Sequence, residues 1–178
     1  MIVIHPKDKT TSFLRTIYSW EKEITLIDET WNNRNIREAI GTSPKEEIIM
    51  MLGHGCDKGL FAPYGDNPFA RTIIDSRIVY LLREHTCIGI WCYANEFAKK
   101  YDLKGLFSGM VVSDANEALD YKLDYEGEDI NLLNKQYAND LAYCLRKNSL
   151  NSVPQMMLEI QDYHSDIKDF NYQSLYYY

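Results

Sequence analysis

His54 ends the run Ile48-Ile49-Met50-Met51-Leu52-Gly53-His54, and Cys92 ends the run Cys87-Ile88-Gly89-Ile90-Trp91-Cys92. An imidazole that takes the proton of a thiol turns cysteine into an attacking thiolate, so one histidine and one cysteine within hydrogen-bond reach suffice for acyl transfer. Each residue closes a short apolar run of the kind a strand buried on both faces requires. Neighbouring strands lie about 4.8 Å apart, so side chains at matching ends of two parallel strands can meet. Open parallel sheets also hold ligands in the crevice beyond those carboxyl ends. Gly53 and Gly55 let the backbone turn and approach a ligand closely, which offers the amides of Gly55 and Cys92 to a developing oxyanion. The segment Tyr93-Ala94-Asn95-Glu96-Phe97-Ala98 reads as the start of a helix whose positive end favours a thiolate at Cys92.

The elements that must position this pair follow from periodicity. Apolar runs at residues 1–5, 24–27, 47–52, 87–91 and 106–112 alternate with amphipathic segments, the signature of strand and helix units feeding a mostly parallel sheet. Thr10, Thr11 and Ser12 offer caps for a helix bearing Phe13, Leu14, Ile17 and Tyr18, and residues 6–11 form a loop in which an anion can bind. After His54, Gly59-Leu60-Phe61-Ala62 and Arg71-Thr72-Ile73-Ile74 flank a segment containing Pro63, Gly65, Asn67 and Pro68, which reads as a hairpin with a long irregular tip. Beyond Asp114 the strand signal stops. Ile130, Leu133, Tyr137, Leu141, Cys144 and Leu145 share one helix face, Ser152-Val153-Pro154-Gln155 has the form of a capping box, and a tyrosine-rich tail over 170–178 either docks on the body or offers a contact surface. The expected fold is a three-layer α/β/α sandwich with a mostly parallel sheet. It forms one domain over 1–178, with the sheet core in 1–120 and packing helices and tail in 121–178.

Leu52-Gly53-His54-Gly55-Cys56-Asp57-Lys58-Gly59-Leu60-Phe61 resembles the Ser-His-Gly segment of caspase-like cysteine peptidases, in which the base histidine ends a strand and a β-hairpin follows. Cys87-Ile88-Gly89-Ile90-Trp91-Cys92 resembles their next core strand, which ends in the nucleophile. The clan includes caspases, metacaspases, gingipain-like, separase-like and CHAT-type domains, and the resemblance covers roughly residues 1–120. It implies a caspase-like fold, His54 as general base, Cys92 as nucleophile and hydrolysis of a peptide bond. A weaker likeness over Leu106-Phe107-Ser108-Gly109-Met110-Val111-Val112-Ser113-Asp114-Ala115-Asn116-Glu117-Ala118 implies that Ser113, Asp114 and Glu117 bind substrate and suit a basic residue before the scissile bond. The chain departs from the family pattern at Trp91 and Tyr93, where small residues are usual.

Composition narrows the alternatives. With 19 Lys and Arg against 26 Asp and Glu, the net charge of -7 and the lack of a basic cluster argue against nucleic acid or an anionic membrane as a partner. No apolar run has the roughly 20 residues that span a bilayer, and Met1 leads directly into Ile2-Val3-Ile4 without a basic leader, so a cytoplasmic protein is expected. Cys56, Cys87, Cys92 and Cys144 lack zinc-ligand spacing and are expected as reduced thiols. The acidic run Leu123-Asp124-Tyr125-Glu126-Gly127-Glu128-Asp129 lacks the ligand alternation of a calcium loop. No metal or cofactor is therefore expected. The functional expectation is a cysteine peptidase acting on a peptide or protein through a Cys92-His54 dyad. One alternative is a non-catalytic interaction module in which Trp91 and Tyr93 close the pocket and the tail binds a partner. A weaker one is a small-molecule or nucleotide-binding domain using the loop from Pro6 to Thr11.

Overall fold

In the computed structural model, which describes residues 1–64 and 67–178, the apolar runs pair into a six-stranded sheet. Its strands are β1 (Ile2–Ile4), β2 (Thr25–Ile27), β3 (Ile49–Leu52), β7 (Thr86–Ile90), β8 (Lys104–Ser108) and β9 (Leu175–Tyr177), in the order β2-β1-β3-β7-β8-β9. The first five are parallel and β9 is antiparallel to β8. The order reverses between β1 and β3, which makes their carboxyl ends the crevice where open α/β sheets take ligands. A second sheet of three antiparallel strands, β4 (Gly55–Cys56), β5 (Gly59–Tyr64) and β6 (Asn67–Ile74), follows directly on His54.

Alternation explains why the runs are apolar throughout. Ile49 and Met51 face one core, with Ile36 and Ile40 of α1 (Asn33–Thr42), Val79 and Leu82 of α2 (Val79–Leu82) and Phe97 of α3 (Ala94–Tyr101). Met50 and Leu52 face the other, with Leu14 and Ile17 of a 3-10 helix (Ser12–Tyr18) and Tyr137 and Leu141 of α5 (Ile130–Lys147). Val153 and Met157 of α6 (Val153–Glu159) and Tyr172 of α7 (Asp166–Gln173) close that second layer. Each fully buried aliphatic side chain contributes roughly 1.5–3 kcal/mol, and a strand covered on both sides has no place for a polar residue in its middle. The three-layer α/β/α arrangement with a helical C-terminal third is as expected. Among the described residues no helix is long and apolar enough to cross a membrane.

Several boundaries differ from the sequence reading. The tyrosine-rich tail docks as β9, so the sheet is not confined to residues 1–120; Leu175 is buried while Tyr176, Tyr177 and Tyr178 stay exposed. The hairpin strands run to the pair Tyr64↔Asn67, longer than expected, and the expected tip at Gly65 lies outside the described residues. Ser152 makes no side-chain cap, because its hydroxyl donates to the Ser149 carbonyl at 2.8 Å.

The fifth strand ends at Ser108 rather than Val112. Residues 109–113 leave the sheet because side chains and backbone of the helical third take their hydrogen bonds. Asn171 accepts from the Val112 amide at 2.7 Å and donates to the Val112 carbonyl at 2.9 Å, the Gly109 amide donates to the Ser174 carbonyl at 2.8 Å, and Asn134 donates to the Ser113 carbonyl at 2.9 Å. Both Asn171 and Val112 are buried, so the carboxamide replaces a missing strand partner. Asn171→Leu leaves the buried Val112 amide and carbonyl unpaired and is expected to lower stability by about 2–4 kcal/mol in urea denaturation. An unchanged midpoint would show the clamp to be dispensable.

Candidate active site

β3 and β7 are adjacent and parallel, with Leu52 opposite Ile90, and the Gly53 amide carries the ladder one step on by donating to the Ile90 carbonyl at 3.1 Å. His54 and Cys92 thus lie two residues past opposed positions. Both continue the alternation of Leu52 and Ile90, the side that packs against the 3-10 helix. Gly53 takes φ +141, a conformation open to glycine, at the point where the chain leaves the sheet. His54 and Cys92 line one cavity of about 30 Å³ together with Thr11, Phe13, Val111 and Ser113. That volume holds about one water.

The histidine is held from β1's side. Thr10 Oγ1 lies 2.6 Å from His54 Nε2 and donates its proton to Asp8 Oδ1, while the Thr10 amide donates to the same carboxylate oxygen at 2.8 Å. A hydroxyl has one proton. With that proton directed at Asp8, Thr10 accepts from Nε2–H, which leaves Nδ1 as the ring nitrogen without the proton. Asp8 Oδ1 is itself 3.6 Å from Nε2. Partial burial pushes the Asp8 carboxyl up, but the Thr10 hydroxyl and amide, the charge of His54 and the Thr11 amide outweigh it and hold Asp8 below its usual range. By residue type Asp8 and Thr10 suit a loop and a helix cap. The signal that could have found them is their place just past β1, beside the strand that ends in His54.

The thiol departs from expectation. Burial pushes Cys92 up to about 11, with the charges of Glu117 and Cys56 adding, against the opposing pull of the Val111 backbone and of Cys92's own amide. Its Sγ contacts the Val111 carbonyl at 3.9 Å. The helix does not offset this, because α3 begins only at Ala94 and Tyr93 intervenes in a left-handed conformation, φ 65 and ψ 29. Such a conformation in a bulky residue is uncommon, and here it separates the thiol from the first turn of α3.

Trp91 does not fill the cavity with its ring. At 2% exposure it lies in the opposite core, its ring centroid 5.8 Å from that of Phe97. Its indole Nε1 donates to the Cys56 carbonyl at 3.1 Å, and a Cβ added to Gly55 would sit 2.2 Å from the indole Cδ1. The indole therefore joins the cysteine strand to the hairpin after His54. Tyr93 is 39% exposed and hydrogen-bonds Tyr121 through the two hydroxyls, also away from the cavity.

For the oxyanion, His54 and Phe61 form a bonded position, the Phe61 amide donating at 2.7 Å, and Gly55 opposes Leu60 at the next one. Bonded and open pairs alternate in an antiparallel ladder, so the Gly55 amide points off β4, the free edge of the small sheet. Cys92 lies beyond the last ladder pair of β7. Of the expected substrate-binding residues, Ser113 lines the cavity. Asp114 caps α4 (Ala115–Asp120) by accepting from the Asn116 and Glu117 amides, and Glu117 reaches back to the Ser113 amide at 2.6 Å and hydroxyl at 3.0 Å. Both carboxylates thus hold the start of α4, with Glu117 near enough to Cys92 for its charge to be felt.

All four cysteines are free, and among the described residues no group of three or more His, Cys, Asp or Glu side chains is placed to hold a metal ion. Gly55→Ala is expected to drive a methyl into the indole and the Gly59 carbonyl, costing about 1–3 kcal/mol in chemical denaturation. The raised thiol sets a second expectation. An unfolded chain loses the Cys92 proton near about 8.5, so above that pH the unfolded state binds fewer protons than the folded one and stability falls until Cys92 ionises in the fold. Cys92→Ser should make the fall between there and about 11 shallower, the part that remains coming from the buried Cys87 and Cys144 thiols, and alkylation of native Cys92 by iodoacetamide should be slow at neutral pH. Rapid neutral alkylation would contradict the burial. No family model, no curated protein and no solved structure matches the chain, so the arrangement of Asp8, Thr10, His54 and Cys92 is what bears on its chemistry.

Proposed function

We propose that the chain is a caspase-like cysteine hydrolase that cleaves a peptide bond in a peptide or protein substrate. The observation that carries the reading is that His54, oriented by Thr10 and Asp8, lines the same cavity as Cys92 at the carboxyl edge of the sheet. The hairpin placed directly after His54, and Cys92 two residues past the end of the neighbouring strand β7, support the reading. Four free thiols suit a reducing, cytoplasmic setting.

Nδ1 of His54 takes the Cys92 proton, and the thiolate forms a bond to the substrate carbonyl carbon. The amides of Gly55 and Cys92 stabilise the resulting oxyanion, and the Asp8 carboxylate, acting through Thr10, stabilises the imidazolium. Collapse breaks the carbon–nitrogen bond, the leaving amine takes the proton from His54, and a water deprotonated by His54 then hydrolyses the thioester. The negative charge of Glu117 near Cys92 favours a basic residue before the scissile bond. A cavity that holds one water admits no peptide, so Phe13 or Val111 must yield when substrate binds.

The test is a peptidyl acyloxymethyl ketone with lysine beside the ketone. Wild type should be labelled at Cys92, Cys92→Ala not at all, and His54→Ala at least about a hundredfold more slowly. Thr10→Val should slow labelling and Thr10→Ser should preserve it, since only the hydroxyl is needed. Labelling of His54→Ala at the wild-type rate would sink the hydrolase reading. The narrow cavity and raised thiol favour a second reading, a non-catalytic module that presents the exposed Tyr176, Tyr177 and Tyr178 to a partner protein. It calls for unlabelled wild type and for a pull-down lost on replacing those exposed tyrosines by serine. Truncation is unsuitable because β9 and α7 belong to the folded body.

A further inference from the structure

A larger cavity, about 360 Å³, opens between the carboxyl ends of β1 and β2 on the far side of the loop that holds His54. It is within the size range of small-molecule sites. Its apolar surface comes from Leu26 and the rings of His5 and Tyr18, and Lys7, Lys9 and Arg15 bring three cations to its rim. Among the described residues none of the three forms an ion pair. The two carboxylates that also line it are already engaged: Asp8 accepts from Thr10, and Asp28 accepts from the Thr30 amide at 3.0 Å and hydroxyl at 2.6 Å. In a chain of net charge -7, three cations against two carboxylates around one apolar hollow are a local reversal, with the charge of Lys7 acting on Asp28 across it.

His5 gives an independent indication. Its side chain is 5% exposed, Nδ1 lies 3.1 Å from the Tyr18 hydroxyl, and Nε2 is buried with no group in hydrogen-bonding geometry, although the Thr11 carbonyl approaches the ring. Burial pushes His5 down to about 4, so the ring is neutral at pH 7. When the Tyr18 hydroxyl donates to Nδ1, the proton sits on Nε2, a buried donor whose neighbouring acceptor, the Thr11 carbonyl, lies outside hydrogen-bonding geometry. Arg15 lies beside Tyr18 and His5, since its charge acts on both.

We propose that this cavity binds a small organic anion, a phosphate or carboxylate carried on a flat apolar body, with Arg15, Lys7 and Lys9 facing the charge and His5 Nε2–H donating to an oxygen. The site does not depend on Cys92 being a nucleophile, and failure of the ketone labelling leaves it standing. It shares Asp8 with the histidine support, which places the bound anion one residue layer from His54.

The experiment is a titration of the full chain with phenyl phosphate, benzoate, inorganic phosphate and phenol, followed by the ring resonances of His5 and Tyr18. Phenyl phosphate or benzoate should bind saturably and shift both residues, and phosphate and phenol alone should bind at least about tenfold more weakly, because each lacks half of the recognition. The relative affinity of phenyl phosphate and benzoate identifies the charged group. Arg15→Gln with Lys9→Gln should weaken binding at least about tenfold. Leu26→Trp, at a side chain 39% exposed, fills the cavity without touching the cations and should abolish it. Absence of saturation by both aromatic anions, affinity unchanged in either variant, or saturation that leaves His5 and Tyr18 unmoved would overturn the proposal.

Discussion

Burial of the sheet on both faces is the constraint from which the site follows. Because Ile49 and Met51 commit to one core and Met50 and Leu52 to the other, the side on which each later residue emerges is settled before the strand ends. His54 and Cys92 inherit the side of Leu52 and Ile90, and Trp91 inherits the side of Gly89. A shift of one residue in either strand would send the imidazole or the sulfur into the opposite core. The indole of Trp91 resists such a shift, since it occupies the space that Gly89 and Gly55 leave and bonds to the Cys56 carbonyl.

Electrostatics at the edge divide between the two partners. The histidine is supported by a carboxylate held ionised through its own hydrogen bonds, and the sulfur sits in a narrow recess whose burial opposes its ionisation. These tendencies meet if the proton moves only when a substrate carbonyl is present to take the new bond. A thiol kept neutral in the resting protein is also spared indiscriminate oxidation and alkylation, which act on the thiolate.

Much of this was legible in the chain because burial on two faces writes itself as unbroken apolar runs. β1, β2, β3 and β7 were read to within about two residues, and the strand-end positions of His54 and Cys92 with them. What escaped notice depends on partners distant in sequence. Met110, Val111 and Val112 look like strand because they are apolar, yet Val112 pairs with Asn171, and the flanking Gly109 and Ser113 pair with Ser174 and Asn134. β9 shows no apolar alternation, since Tyr176, Tyr177 and Tyr178 remain exposed and pairing to β8 comes from the backbone. Thr10 and Asp8 read as caps because their residue types suit a turn, and nothing local reveals that an imidazole lies beside them. Ser152 fits a capping pattern that a neighbouring carbonyl outcompetes.

The Asn171 clamp carries a consequence for the order in which the protein is made. A ribosome releases the histidine strand, then the cysteine strand, then residues 109–113, well before the carboxamide that pairs with Val112, 59 positions further on. Chains fold from the N-terminus as they emerge, at about 5–20 residues per second. A nascent chain thus holds the imidazole and the sulfur for some seconds before the wall that encloses the sulfur is in place. The recess around Cys92 is among the last parts of the protein to be completed, and whatever chemistry that sulfur performs waits on the helical third.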